Sequence, residues 1–489
     1  MRHNDSTTKG SSADSSTVLK SITVISQSSD QSTTDDVVSI SNKSRKSSTT
    51  ISSLGERPNG LSYAQILITF LKGMIGPGCL SLPLAFRQAG LWTGLILVIV
   101  LGFLNLRCMH KLVECSQRLS KNYGSLAYET FSNSFAPFKR YNRIARIVVN
   151  ASIIALQMGI CSVFYVFCAD HVREFFAFQY PTVNYSKPIW MLLIFVPMVL
   201  VNFVRSLRAI SVLSSIGNII CIVALTFIFQ YLVRAEHQNL SEFPTITNFD
   251  GIMAACGAIL YSFEGQAMVL PLENRLQKPS QMVGLLGILS VGIAVVSAIY
   301  STSGFLGYVT YGAQVKGSIT QNLPQNEIQF VLVRLLFTLV MFFGFVIQMY
   351  VIVEMLWPEF VKLLKKFCPK LGDDGGDENE GIKTKMLCVE LLFRTMLVAI
   401  AMLIGLAVPD LENIIPLVGA TTGMLLALIF PALLDLLVFL PVHLRRHNTL
   451  RAFWLLIDDW SLVGLGFFGL VAGLRANLRN IFTPENIVA

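Results

Sequence analysis

The stretch FLKGMIGPG, residues 70–78, lies inside an apolar run that is long enough to cross a membrane. Three glycines and one proline fall within residues 73–78. Proline removes a backbone donor and clashes with the preceding turn, while glycine tolerates non-helical dihedral angles. A spanning helix must bond every backbone group internally, so such a cluster needs a reason. We therefore expect the helix to unwind between Gly73 and Gly78.

A second apolar run contains the stretch YSFEGQ, residues 261–266. Here Glu264 stands near the middle of the run beside Gly265. An ionisable group at membrane depth is costly, so it is a functional candidate by default. We expect a break in this helix as well.

Composition assigns the chain to a broad class of protein. Of its 489 residues 53% are hydrophobic and 14% are charged, with a mean hydropathy of +0.59. A soluble chain of this kind would expose large apolar patches, which soluble monomers rarely do. A soluble enzyme is therefore excluded. In a membrane protein the net charge of +8 indicates cytoplasmic loops rather than nucleic-acid binding. We expect no catalytic residues, no metal and no cofactor, apart from a proton as coupling ion.

Eleven apolar runs are close to the length of about 20 helical residues that a hydrocarbon core of ~30 Å requires. The fourth and the last barely reach it. The predicted spans are residues 62–85, 90–115, 145–169, 189–204, 209–233, 250–272, 282–310, 327–356, 386–408, 412–440 and 460–475. We predict three regions: a disordered, Ser/Thr-rich cytoplasmic tail (1–60), an all-α transmembrane domain (61–475) and a short C-terminal tail (476–489).

Lys and Arg are concentrated in alternate loops, which places the N-terminus in the cytoplasm and the C-terminus on the far side. Two N-glycosylation sequons, at Asn184 and Asn239, fall in loops that this orientation puts on the extracellular or lumenal face. Both signals predict the same topology.

The two predicted breaks fall in helices 1 and 6, five helices apart. An inverted repeat of five plus five helices brings two such broken helices together at the bilayer midplane. A half-helix N-terminus after Gly78 would attract a carboxylate, and unwound carbonyls would accept from an ammonium group. Such a site suits an amino acid. The alternatives are that the glycines serve close helix packing and that Glu264 is a structural carboxylate.

The quoted stretches, with LPLA at 82–85, QAG at 88–90 and VLPLEN at 269–274, resemble helices 1 and 6 of the proton-coupled amino-acid transporters of the amino acid/auxin permease superfamily. The resemblance implies a LeuT-like 5+5 inverted repeat with one extra C-terminal helix, and alternating-access transport of small neutral L-amino acids through the lipid bilayer. The substrate site it implies consists of Thr69, Gly73, Met74, Ile75, Gly76, Gly78, Phe263, Glu264 and Gly265.

One residue departs from that family. Its mammalian members carry a histidine three residues before the helix 1 lysine, where this chain has Thr69, which cannot titrate. Either Glu264 carries the proton or the chain is an uncoupled facilitator. A further alternative is an amino-acid sensor that signals to a cytosolic partner through its tail. The plasma membrane and a lysosomal or vacuolar membrane remain equal alternatives for its location.

Overall fold

The computed structural model describes residues 57, 60–119, 123–180, 185–324, 327–367 and 380–482. The chain divides into the units Met1–Gly55 and Glu56–Ala489, and all described residues belong to the second. The predicted tail up to residue 56, the sequon asparagine Asn184 and residues 483–489 lie outside the described residues.

All regular structure in the described part of the chain is helical, apart from one isolated bridge between Leu61 and Leu276. The sequence-based expectation of an all-α fold is confirmed. We number the α-helices in chain order, and short 3-10 and π turns separate some of them. They are α1 (Tyr63–Met74), α2 (Leu82–Ala89), α3 (Leu91–Arg118), α4 (Tyr123–Asn133), α5 (Ala136–Lys139), α6 (Asn142–Gln179), α7 (Lys187–Asn202), α8 (Leu207–Arg234), α9 (Phe249–Ser262), α10 (Gln266–Arg275), α11 (Ile288–Tyr311), α12 (Ile328–Phe367), α13 (Glu380–Ala407), α14 (Leu411–Val418), α15 (Phe430–Arg445) and α16 (Thr449–Phe482).

Nine stretches of helix in the described residues are long and apolar enough to span a membrane. The bent pair of α1 and α2 makes a tenth if it counts as one span. Helix α7 is apolar but has only 16 residues, so it is not one of these nine stretches. An integral, multi-pass membrane protein follows from these helices.

The ends of several helices differ from the predicted bounds. Helix α16 begins at Thr449 and continues to Phe482, well beyond both ends of the predicted run 460–475. The hydropathy pattern did not predict the part of α16 before residue 460, because this part carries Asp458 and Asp459. Both carboxylates pair with Lys111 of α3, at 3.0 and 2.8 Å, which lets them remain inside the bundle.

Two short helices, α4 and α5, occupy the loop between the second and third predicted spans. They were not expected. Helix α4 packs against α6 through small residues, since the α-carbon of Gly124 lies against Asn150 of α6. The Tyr123 hydroxyl donates to the carbonyl of Leu426, 3.2 Å away. Helix α4 therefore belongs to the bundle rather than to a free loop.

The two opposite sides of the helix bundle are called the Asn239 side and the Lys366 side. The Asn239 side holds the end of α6, the end of α8 and the start of α12. The Lys366 side holds the end of α12 and the start of α13.

Candidate functional site

The first interruption separates α1 from α2. Helix α1 ends at Met74, Ile75 and Gly76 adopt extended dihedral angles, and a 3-10 turn over Pro77–Ser81 leads into α2. The helical segments on the two sides of the break differ in direction by 44°. A methyl group added to Gly76 would meet no atom within 4 Å. A side chain at Gly76 would thus point into open space.

The second interruption separates α9 from α10. Helix α9 ends at Ser262, and α10 begins at Gln266 with Gly265 as its N-cap residue at φ −160° and ψ 1°. Phe263 and Glu264 occupy the turn between them. The main chain therefore leaves the helix at the place where the sequence predicts a break.

The two interruptions contact each other directly. A β-carbon at Gly78 would lie 2.7 Å from the α-carbon of Ser262, so only glycine permits this approach. The Met74 sulfur occupies the place that a side chain on Gly265 would need. Glycine at residue 78 is therefore required for the close contact of the two backbones, whereas at Gly265 the flexible Met74 side chain is the neighbour that would have to move.

Tyr300 of α11 joins the two interruptions. Its hydroxyl lies 2.6 Å from the carbonyl oxygen of Met74 and 2.7 Å from that of Ser262, one in each broken segment. The Tyr300 side chain is fully buried, and its ring lies 5.0 Å from that of Phe263. Carbonyls that lose their helical partner need another donor, and the single hydroxyl proton of Tyr300 is shared between one carbonyl of each break.

Other side chains satisfy the remaining carbonyls around the first interruption. The Ser262 hydroxyl donates to the carbonyl of Gly78 at 2.9 Å. The Ser303 hydroxyl of α11 donates to the carbonyl of Cys79 at 2.8 Å. The non-helical backbone is thus held in one conformation by hydrogen bonds.

A buried amide pair supports the second interruption from α3. The side-chain amide of Asn105 donates to the carbonyl of Phe263 at 3.1 Å. The Gln266 amide in turn donates to the Asn105 side-chain oxygen at 2.8 Å and to the carbonyl of Ala427 at 3.3 Å. These bonds connect the start of α10 to α3 and to the π turn before α15.

Glu264 lies in the turn with a half-buried side chain, and both of its carboxyl oxygens are buried. Neither oxygen has a hydrogen-bond partner among the described residues. The phenols of Tyr123 and Tyr261 are near enough to interact with it electrostatically. A buried carboxylate without a partner is costly, so this position suits a group that takes a proton or meets a cation.

The other residues predicted for the substrate site do not all lie where the two interruptions meet. The structure brings Met74, Gly78, Phe263 and Gly265 together where the two interruptions meet, a place that we call the crossing. Gly76 lies beside them and faces open space. Ile75 is half-buried next to Gly76.

Gly73 and Thr69 lie on α1, before the break. Gly73 packs against Met268 of α10. Thr69 is exposed, and its hydroxyl donates back to the carbonyl of Gln65 on its own helix at 2.7 Å. The structure therefore does not bring Thr69 to the crossing.

Tyr300, Asn105 and Ser303 were not predicted from the sequence. The available signal was the polar side chain inside an otherwise apolar run, as in GFLNLRC around Asn105 and SAIYSTSG around Tyr300. Which of many such residues meets a broken helix depends on the packing of α3 and α11 against the breaks.

Ion pairs and backbone bonds hold both ends of the crossing. On the Asn239 side, Arg87 of α2 pairs with Glu412 of α14 at 3.1 Å. On the Lys366 side, Arg57 pairs with Glu273 of α10 at 3.3 Å, and Leu61 bridges to Leu276. Both ends of the bent α1–α2 pair are thus attached to neighbouring segments.

The chain is similar to known proteins over most of its length. The chain is 28% identical over 430 residues to the "Probable amino acid transporter skat-1" of Caenorhabditis elegans, which covers 86% of this chain and 90% of that protein. It is 26% identical over 439 residues to the "Proton-coupled amino acid transporter-like protein pathetic" of Drosophila melanogaster, covering 88% and 87%. The sequence profile of the family described as "Transmembrane amino acid transporter protein" matches residues 59–476. The chain belongs to this family of transmembrane amino acid transporters.

Proposed function

We propose that the chain is a secondary active transporter of small neutral amino acids that works by alternating access. The observation that carries the proposal is the crossing of the two interruptions, with the Gly76 backbone facing open space beside it. Membership of an amino acid transporter family supports an amino acid as the substrate.

We infer that the fold is a LeuT-like inverted repeat. Counting the α1–α2 pair as span one and α9–α10 as span six places the interruptions five spans apart, as in a five-plus-five repeat. This count takes α7 as the fourth of eleven spans, and α16 becomes the extra C-terminal helix. The N-terminus then lies in the cytoplasm, and Asn239 lies outside or in the lumen.

Substrate binding would use the backbone at the crossing. The start of the helical segment after Gly78 presents amide groups and the positive end of a helix dipole, which suit a carboxylate. Tyr300, Ser262 and Ser303 already occupy the carbonyls of the neighbouring residues. The Gly76 carbonyl accepts from the Cys79 amide at 3.2 Å, so the substrate would approach Gly76 from its open side rather than through that carbonyl.

Glu264 is the group that we propose to carry the proton. Its buried oxygens have no hydrogen-bond partner in the described part of the chain, whereas Thr69 cannot titrate and bonds to its own helix. A proton on Glu264, or the ammonium group of the substrate, would neutralise the buried charge. If a proton neutralises Glu264, uptake is coupled to protons. If the ammonium group of the substrate does so, transport is uncoupled facilitation.

Uptake of radiolabelled amino acids into proteoliposomes, at neutral and acidic external pH, tests the proposal. We expect small neutral amino acids to enter faster at acidic pH, and Glu264→Gln to remove this acceleration. Glu242→Gln, an exposed residue in the loop after α8, serves as the matched control and should behave like the parent. Uptake by Glu264→Gln with unchanged pH dependence would reject the proton role. Absence of amino-acid uptake by the inserted parent chain would reject the transporter itself.

A further inference from the structure

A cavity of about 200 Å³ lies away from the crossing, between the last turns of α6 and the first turns of α12. It is on the Asn239 side of the bundle. Its lining includes Glu174, Phe175 and Phe178 from α6, and Arg334 and Leu335 from α12. Nothing in the transport proposal uses these residues.

The Arg334 side of the cavity is rigidly built. Arg334 is buried at 9% exposure, and its Nε donates to the carbonyl of Thr320 at 3.0 Å. One of its terminal nitrogens donates to the carbonyl of Leu323. His171 Nε2 lies 2.7 Å from the Thr320 hydroxyl, which ties the same turn to α6. The guanidinium is therefore held at the cavity wall.

Glu174 supplies the opposite charge. Its Oε2 atom is buried and has no hydrogen-bond partner among the described residues. Glu174 and Arg334 both line the cavity, but the Glu174 Oε2 atom takes no hydrogen bond from the guanidinium. Arg334 is one of three cations that act on the Glu174 carboxylate, with Lys316 and Arg173, and it is the one that lines the cavity with it. The cavity thus offers a cationic and an anionic group held apart, which complements a zwitterion.

The opening of the cavity is apolar. Phe175, Phe178 and Leu335 are 45%, 46% and 52% exposed, at the ends of helices that span the membrane. Aromatic side chains at this level are typical of the boundary between hydrocarbon and headgroups. The cavity is also smaller than the 300 to 1,000 Å³ or so of pockets that enclose a whole ligand. It fits a headgroup whose remaining part stays in the bilayer.

We propose that this cavity binds the headgroup of an ethanolamine phospholipid. Arg334 would bind the phosphate, Glu174 would accept hydrogen bonds from the ammonium group, and the acyl chains would lie along Phe175, Phe178 and Leu335. A choline headgroup has the same charges, but its trimethylammonium group cannot donate a hydrogen bond. The site therefore discriminates between the two lipids through Glu174.

Native mass spectrometry of the purified full chain tests this assignment. We expect the parent to retain phosphatidylethanolamine over phosphatidylcholine by about tenfold or more, the ratio that one charge-assisted hydrogen bond supports. Glu174→Gln, which keeps the side chain's shape, should lose most of this preference, while Glu242→Gln should keep it. The comparison of lipids on the parent chain needs no variant and stands even if Glu174→Gln is unstable.

Equal retention of the two lipids by the parent would overturn the proposal, as would an undiminished preference in Glu174→Gln. A free zwitterion could use the same two charges. If a soluble amino acid displaces the bound phosphatidylethanolamine from the parent, and Glu174→Gln abolishes that displacement, the cavity is an amino-acid site and the lipid assignment is wrong. These outcomes are independent of transport, because binding is measured without flux.

Discussion

Two glycines of the first interruption, Gly76 and Gly78, are predicted to respond in opposite ways to the same change. The β-carbon of Gly76→Ala enters open space, with no atom within 4 Å. The φ of −144° at Gly76 is one that any residue adopts. The β-carbon of Gly78→Ala would lie 2.7 Å from the Ser262 α-carbon and 3.1 Å from its hydroxyl oxygen. The first change adds volume to the proposed substrate site, and the second forces two backbones apart.

The magnitudes follow from these distances. Carbon atoms at rest lie about 3.5 to 4.0 Å apart, so Gly78→Ala must separate the segments by roughly 1 Å. Overpacking of this kind costs about 1–3 kcal/mol, which we expect as lost stability. Gly76→Ala should leave stability unchanged or raise it by about 0.4–1 kcal/mol, because alanine restricts the unfolded chain. If the substrate contacts Gly76, the same overpacking should weaken its binding by roughly 5- to 150-fold.

The assays are thermal unfolding of the purified chain in detergent and concentration-dependent uptake into proteoliposomes. Gly76→Ala should keep the parent's unfolding temperature and show a raised KM, whereas Gly78→Ala should unfold earlier. A parent-like KM in Gly76→Ala would remove Gly76 from the substrate site. A parent-like unfolding temperature in Gly78→Ala would show that the two segments are not in contact as described.

Three further predictions concern other parts of the chain. Tyr300→Phe removes the donor shared by two buried carbonyls, so we expect a loss of about 1–3 kcal/mol in thermal unfolding, with the phenyl ring still packed. Arg57→Ala breaks the pair with Glu273 and should speed proteolysis of the segment before α1; an unchanged rate would contradict the attachment of this segment to α10. Deleting residues 1–55, a separate unit of the chain, should leave uptake unchanged, and a loss of flux on correct insertion would favour the tail-dependent sensor.

The sequence predicted that α1 ends near Met74 and α9 near Ser262, because the cause of each end is local. Proline and glycine at residues 73–78, and a carboxylate beside glycine at 264–265, disfavour a helix whatever surrounds them. The apolar runs likewise predicted most helices, because the length of a run by itself indicates whether a helix can span the membrane. The start of α16 escaped prediction because the pairing of Asp458 and Asp459 with Lys111 joins distant parts of the chain.

The roles of individual site residues were less predictable for the same reason. Gly73, Gly76 and Gly78 look alike in the sequence, yet one packs on Met268, one faces open space and one contacts Ser262. These roles depend on the approach of α9 and α10. The hydroxyl of Tyr300 acquires its role in the same way, through the position of α11 between the two breaks.

Protection of a single introduced thiol tests the location of the substrate most directly. Gly76→Cys is made in a chain in which the exposed Cys388, and Cys368 outside the described residues, are changed to Ser, and its transport is measured first. The rate of modification by a small thiol reagent is then compared with and without a transported amino acid, present well above the KM of that variant. Binding at the crossing predicts that the amino acid slows modification of Gly76→Cys and leaves Thr69→Cys unaffected. An unchanged rate at Gly76→Cys would contradict the claim that the substrate binds where the two interruptions meet.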